Sequence, residues 1–202
     1  IINRTPDAVA YKMSNLAHYD PELQARNVSG LSHTSKLDKV IYDEFANNIG
    51  ELSFIAQNIL ADMQHTSVET LLPELKLDDI PIGIDKEQQT KIRIGQYFFR
   101  MSVLMSYGNA CCITGLKNKE LLVASHIKPW SISDANEKLD IHNGLLMCPN
   151  HDKLFDRGYI SFDDTGRILI SERLDDNNRM YMNITAKMKI DITEENIKYI
   201  KY

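Results

Sequence analysis

Apolar side chains recur at helical spacing in three stretches of the first 108 residues. In TPDAVAYKMSNL, Val9, Met13 and Leu16 share one helical face. Thr5 stands where a cap is needed, Pro6 where a missing N–H costs nothing, and Asp7 where its charge complements the positive helix end. The run SKLDKVIYDEFANNIGELSFIAQNIL repeats the pattern through Leu37, Val40, Ile41, Phe45, Ile49 and Leu52. Ser35 and Asp38 offer a capping box at its start, and Gly50 a bend or interruption. DPELQARNVSGLSHTS, between these two stretches, has turn chemistry at both ends. The third stretch, KEQQTKIRIGQYFFRMSVLMSY, predicts a long helix closed by Gly108. Ahead of it, residues 62–86 lose the period. Pro73, Pro81 and Gly83 interrupt short apolar pieces there, so little regular structure is expected.

After Gly108 the period shortens. ELLVASHI reads as a strand, KLFD as a helical turn or more, and DRGYISFDDTGRILIS as a hairpin turning near Asp164, Thr165 and Gly166. Thr193, followed by Glu194 and Glu195, caps a short C-terminal helix. The pattern predicts an α+β chain in five parts. A helical domain spans 1–60, suited to DNA recognition or dimerisation, and an acidic linker spans 61–86. A connecting helix (87–108), a mixed module (109–170) and a C-terminal extension (171–202) follow.

Composition narrows the class. With 43% hydrophobic residues in 202, the chain can build ordinary soluble cores. No run approaches the roughly 18 apolar residues of a membrane span, so no membrane partner is expected. A basic-then-apolar secretory profile is missing from the start, and because the chain opens on Ile1 a further upstream segment is expected. Three cysteines, two of them adjacent, do not make a disulfide framework, which fits a reducing, cytoplasmic setting. The net charge of −5 argues against indiscriminate coating of nucleic acid. Yet residues 61–90 carry two basic and seven acidic side chains, whereas residues 91–128 carry six basic and one acidic. A local positive surface of that kind engages phosphates, or it is a solvated face. Arg93, Gln96 and Arg100 share one helical side, placed either to grip a phosphate or to pair within the fold.

The chemistry concentrates in ASHIKPW and DIHNGLLMCPNHDKLFDRG. Three of the six histidines fall there, at 126, 142 and 151. His126 ends the predicted strand just before a Pro-Trp turn, a position that suits a general base. Asn143 and Gly144 mark a tight turn, and Leu145, Leu146 and Met147 are expected in the core. Asp152 and Asp156, four apart, point to one side of a helix. With His151 they offer a set for one divalent cation: Mg²⁺ or Mn²⁺ for the oxygens, with Zn²⁺, Co²⁺ or Ni²⁺ tolerated by the imidazole. In the alternative, Asp156 caps the turn and His151 packs against the hairpin. A zinc knuckle lacks its second ligand pair. Cys148 and His151 have the spacing, but Cys111 and Cys112 face opposite ways on an extended segment, so the cysteines read first as small core residues.

Taken together, CCITG, LVASHIKPW and DIHNGLLMCPNHDKLFDRGYISFD resemble the HNH endonuclease family. They are especially similar to a bacterial branch described as restriction endonucleases, and the likeness covers about residues 110–170. It implies a ββα-metal (His-Me finger) nuclease module acting on DNA. His126 corresponds to the general base and Asn143 to the asparagine that shapes the loop and orients that base. His151 matches the HDxxFD signature, while a count of nine beyond Asn143 lands on Asp152. The resemblance therefore places the metal at His151 and Asp152, with Asp156 as a further candidate. Ser125 stands where many members carry an acidic or histidine ligand. Lys128, Lys153 and Arg157, with Arg93 and Arg100 further away, are the expected nucleic-acid contacts. Cleavage would leave a 5′ phosphate and a 3′ hydroxyl, and cutting both strands would call for a homodimer.

Overall fold

Thr5 begins the first helix, α1 (Pro6–Ala17), by accepting from the Ala8 amide at 3.2 Å. The computed structural model describes residues 3–28, 30–31, 33–72 and 85–202, and the chain divides into two units, Ile1–Glu74 and Leu75–Tyr202. In the first unit α2 (Pro21–Ala25), α3 (Lys36–Phe45), α4 (Ile49–Met63) and α5 (Val68–Leu71) follow α1. The capping box of Ser35 and Asp38 is present at the start of α3.

The run over 35–60 is two helices. It breaks at residues 46–48, ahead of Gly50, because Asn48 turns its side chain onto the Glu51 amide and starts α4 instead of continuing α3. The expected apolar faces are not the buried ones: Met13, Leu37 and Val40 are 65%, 65% and 58% exposed. The contact between α1 and α3 is polar at its centre. Buried Asp38 takes hydrogen bonds from Lys12 at 2.7 Å, Asn15 at 3.1 Å and the Ser35 amide at 3.0 Å. Lys12 and these other donors hold its carboxyl down to about 2. Part of the expected linker is also helical, since α4 reaches Met63 and Ser67 caps α5. Pro73, Pro81 and Gly83 lie outside the described residues.

The second unit opens with α6 (Lys86–Ser106), capped by Asp85, and Gly108 follows it in the left-handed region at φ 56°. The strand expected over ELLVASHI is shorter. Asn118 caps a 3-10 turn at Lys119–Leu121 and leaves β1 as Val123–His126. β1 pairs antiparallel with β2 (Gly144–Met147), with Val123 opposite Met147 and His126 opposite Gly144. Helix α7 (Pro149–Asp156) follows directly, and this β-β-α succession carries the candidate site. The hairpin of β3 (Ile160–Phe162) and β4 (Ile168–Ile170) turns through Asp163, whose carboxylate caps the Thr165 and Arg167 amides.

Helices α8 (Asp176–Tyr181) and α9 (Glu194–Ile200) complete the chain. Leu145 and Met147 share a core with Leu154, Ile160, Phe162 and Ile168, and the C-terminal residues Leu174, Ile184 and Ile190 are in it too. Helix α6 presses on the β1–β2 pair at Gly144. A Cβ there would overlap Val103 and lie 3.0 Å from the Phe99 ring. Among the described residues no helix is long and apolar enough to cross a membrane.

Candidate active site

His126 is the last residue of β1, and its ring is held from three sides. Nε2 lies 3.0 Å from the Lys138 carbonyl. A carbonyl only accepts, so Nε2 carries the hydrogen and the lone pair sits on Nδ1. One face of the imidazole stacks on Phe99, with centroids 3.8 Å apart and planes 11° apart. Trp130 meets it edge-on at 5.4 Å. Burial lowers the basicity of the ring. The Lys138 carbonyl and the Asp156 charge pull the other way, and the net effect is a pKa below the ordinary histidine value.

Asn143 fixes the loop that delivers the Lys138 carbonyl. It is fully buried; its Oδ1 accepts from the Lys128 amide at 2.8 Å, and its Nδ2 donates to the Glu137 carbonyl at 2.9 Å. Its own carbonyl accepts from the Ile127 amide at 2.9 Å. The turn before it is latched by α9. Asp140 accepts from Tyr199 at 2.6 Å and Lys198 at 3.0 Å, and Asn196 donates to the His142 carbonyl at 2.7 Å.

Helix α7 divides the expected metal set. His151 is 1% exposed and turned inward, where it meets Cys111 and Cys148; one ligand atom from each of the three lies within 4.8 Å of the others. Among the described residues this is the group of three such side chains that converges so closely, and the expected trio of His151, Asp152 and Asp156 does not. The reason is helical rotation: neighbours on a helix point roughly 100° apart, so His151 and Asp152 serve different sides.

Asp152 is half-buried and Asp156 exposed; the Asp156 charge acts on His126, and Asp152 interacts with Ser125, the residue before His126. Burial pushes the Asp152 carboxyl up. Ser125 and Lys153 lower it, Asp156 raises it, and the balance is upward. Ser125 Oγ is buried without a hydrogen bond of full geometry, yet it lies close enough to Asp152 to act on it. Burial is the largest of the effects on Asp152, and its oxygens are donors of the kind a hard divalent cation takes.

The β1–β2–α7 succession, with its histidine and asparagine, has a counterpart among known families. Residues 111–163 match the family model described as HNH endonuclease. The match covers 53 of 202 residues and contains both strands and all of α7. It indicates a nuclease in general terms. No curated protein matches the chain.

Around the HNH segment, the basic residues expected to touch nucleic acid do not all face outward. Lys128 is paired with Glu137 at 2.6 Å, both largely buried, and Arg100 donates to the Leu122 and Lys119 carbonyls at 2.7 and 3.0 Å. In the structure these two brace the loops on either side of β1. Arg93 is half-buried on α6 with its Nε enclosed. Lys153 and Arg157 are exposed on α7 and at its end, on the helix that carries Asp152 and Asp156.

Sequence reasoning missed the Lys138 carbonyl and the Phe99 and Trp130 rings around His126. A backbone acceptor has no residue signature, and Phe99 reads as core because it is core (2% exposed). The inward turn of Cys111 had one available signal, the CCITG turn closing on Gly115 at φ 72°.

Proposed function

We propose that the chain is a metal-dependent endonuclease that hydrolyses DNA phosphodiester bonds. The observation that carries this reading is the orientation of His126. With Nε2 committed to the Lys138 carbonyl, Nδ1 is left as the acceptor of the neutral ring within the HNH segment, and the Asp156 charge acts on that ring. His126 Nδ1 takes a proton from water as the water oxygen attacks phosphorus, and the bond to the 3′ oxygen breaks, leaving a 5′ phosphate and a 3′ hydroxyl. Phe99, Trp130 and the Asn143-pinned loop keep the ring from rotating away. A divalent cation, Mg²⁺ or Mn²⁺, held by Asp152 with Asp156 as its neighbour, would supply charge stabilisation at the non-bridging and leaving oxygens. Lys153 and Arg157 position phosphates from the same helix.

Incubation of supercoiled plasmid with the purified chain and Mg²⁺ or Mn²⁺ tests the reading. Nicked or linear product with 5′ phosphates is expected. A folded chain that binds DNA but fails to cut it with any divalent cation would instead be an HNH-fold binding module. A bacterial restriction or defence role rests on the SHIKPW…NGL…HDKLFDRG signature, and modified against unmodified plasmid in the same assay tests it.

Double-strand cleavage by a one-cation module needs two active sites, so a homodimer belongs to the same proposal. Sedimentation at working concentration should show twice the chain mass; a monomer that only nicks would exclude the dimer.

A further inference from the structure

The three inward-facing side chains beneath the candidate active site have no place in that chemistry. Cys111, Cys148 and His151 are 3%, 8% and 1% exposed, and their ligand atoms lie mutually within 4.8 Å. His151 Nε2 faces the Asn183 carbonyl at 3.3 Å. That carbonyl only accepts, so Nε2 carries the hydrogen and the Nδ1 lone pair is turned toward the sulfurs. Nδ1 is buried and has no hydrogen-bond partner of acceptable geometry. A buried imidazole nitrogen with no hydrogen-bond partner, on a ring clustered with two thiols and fixed at its far nitrogen by a backbone carbonyl, matches the arrangement of a metal-bound histidine. Asn183 holds a left-handed backbone (φ 55°) to present that carbonyl, and Asn150 anchors the same turn by donating to the Met182 carbonyl at 2.8 Å.

The sulfurs are prepared in a similar way. Cys111 heads a tight turn closed by hydrogen bonds from the Gly115 amide to its carbonyl (2.8 Å) and from its own amide to the Leu116 carbonyl (2.9 Å). Within that turn the Thr114 amide points at Cys111 Sγ at 3.4 Å, and the Thr114 hydroxyl lies 3.2 Å from Cys148 Sγ. The amide donor on Cys111 Sγ favours its thiolate, the form that binds metal, and the Thr114 hydroxyl shares a hydrogen bond with Cys148 Sγ. Cys148 and His151 come from the start of α7 with CxxH spacing. Cys112 is turned away and packs against the hydrophobic core.

We infer that Cys111, Cys148 and His151 bind a thiolate-accepting divalent cation, Zn²⁺, at a three-ligand site separate from the catalytic one, with water in the fourth tetrahedral position. Two thiolates and an imidazole select zinc over magnesium or manganese, whereas the Asp152 and Asp156 carboxylates select the reverse. The ion would tie the 111–116 turn to the first turn of α7, fixing the rotation of the helix that presents Asp152. The inference rests on the cluster alone and holds whether or not the chain cuts DNA.

Cobalt reports thiolate ligation directly. The full chain, stripped with chelator and titrated with Co²⁺, should bind about one equivalent with a near-ultraviolet thiolate-to-cobalt charge-transfer band, and Zn²⁺ should bleach it. Cys112→Ser should keep the band; Cys111→Ser and Cys148→Ser should lose it. Asp152→Ala should keep it while losing cleavage, which separates this site from the catalytic cation. A folded wild-type chain that takes up Co²⁺ without the band, or takes up none, overturns the inference even if the cysteine variants fail to fold. So does a band that survives Cys111→Ser and Cys148→Ser together.

Discussion

At the scale of single residues, the site depends on which nitrogen of His126 is free. The Lys138 carbonyl fixes the tautomer, and burial among Phe99 and Trp130 keeps the ring neutral to lower pH than an ordinary histidine. In the proposed mechanism only the neutral ring accepts a proton from water, so activity should fall as pH drops through the His126 pKa. Because that pKa is depressed, the acid limb of the kcat/KM profile should lie below the ordinary value of about 6.5. Trp130→Ala would wet the ring and move the limb upward. A wild-type limb at or above the ordinary value would mean that the ring is not the base or is not shielded. The placement of His126 at a strand end and of Asn143 in the turn before Gly144 was legible in the sequence because the blocks LVASHIKPW and DIHNGLL carry strand and turn signals. The opposite directions of adjacent His151 and Asp152 were less legible: both fit the spacing, and only the fold shows that His151 meets Cys111 and Cys148 while Asp152 meets Ser125.

At the scale of elements, the contact of α6 with β2 sets the depth at which His126 sits, since Gly144 is its strand partner. Gly144→Ala would push a methyl group into Val103 and Phe99. Overpacking of this kind costs about 1–3 kcal/mol, read as a lower midpoint in denaturant unfolding. An unchanged midpoint would mean that α6 moves off the strand at no cost. Caps were the most legible feature of the elements because they are local. Thr5 and the Ser35–Asp38 box act where the residues place them, and Asn196 accepts from the Thr193 amide at 2.9 Å at the start of α9. Buried faces were not legible. Periodicity marks which side chains share a side, but Asn15 and Asp38 bury one another by hydrogen bonding and leave Met13 and Leu37 in solvent.

At the scale of the molecule, a chain of net charge −5 can hold DNA only through a local positive surface. Lys128 and Arg100 are engaged inside the fold, so the proposed DNA contact falls to exposed Lys153 and Arg157 at α7. Changing both to glutamine should weaken DNA binding, measured with Ca²⁺ in place of Mg²⁺. The same change should flatten the dependence of log K on log salt by about 1 for each phosphate no longer neutralised. An unaltered slope would move the DNA elsewhere.

The proposed chemistry stands or falls on His126 Nδ1 removing the proton from the attacking water. The single-turnover cleavage rate of His126→Ala against wild type, in Mg²⁺ and Mn²⁺, with and without added imidazole, tests this step directly. A folded variant slowed at least ~10²-fold and partly restored by imidazole is expected. A folded variant that cuts at the wild-type rate would contradict it.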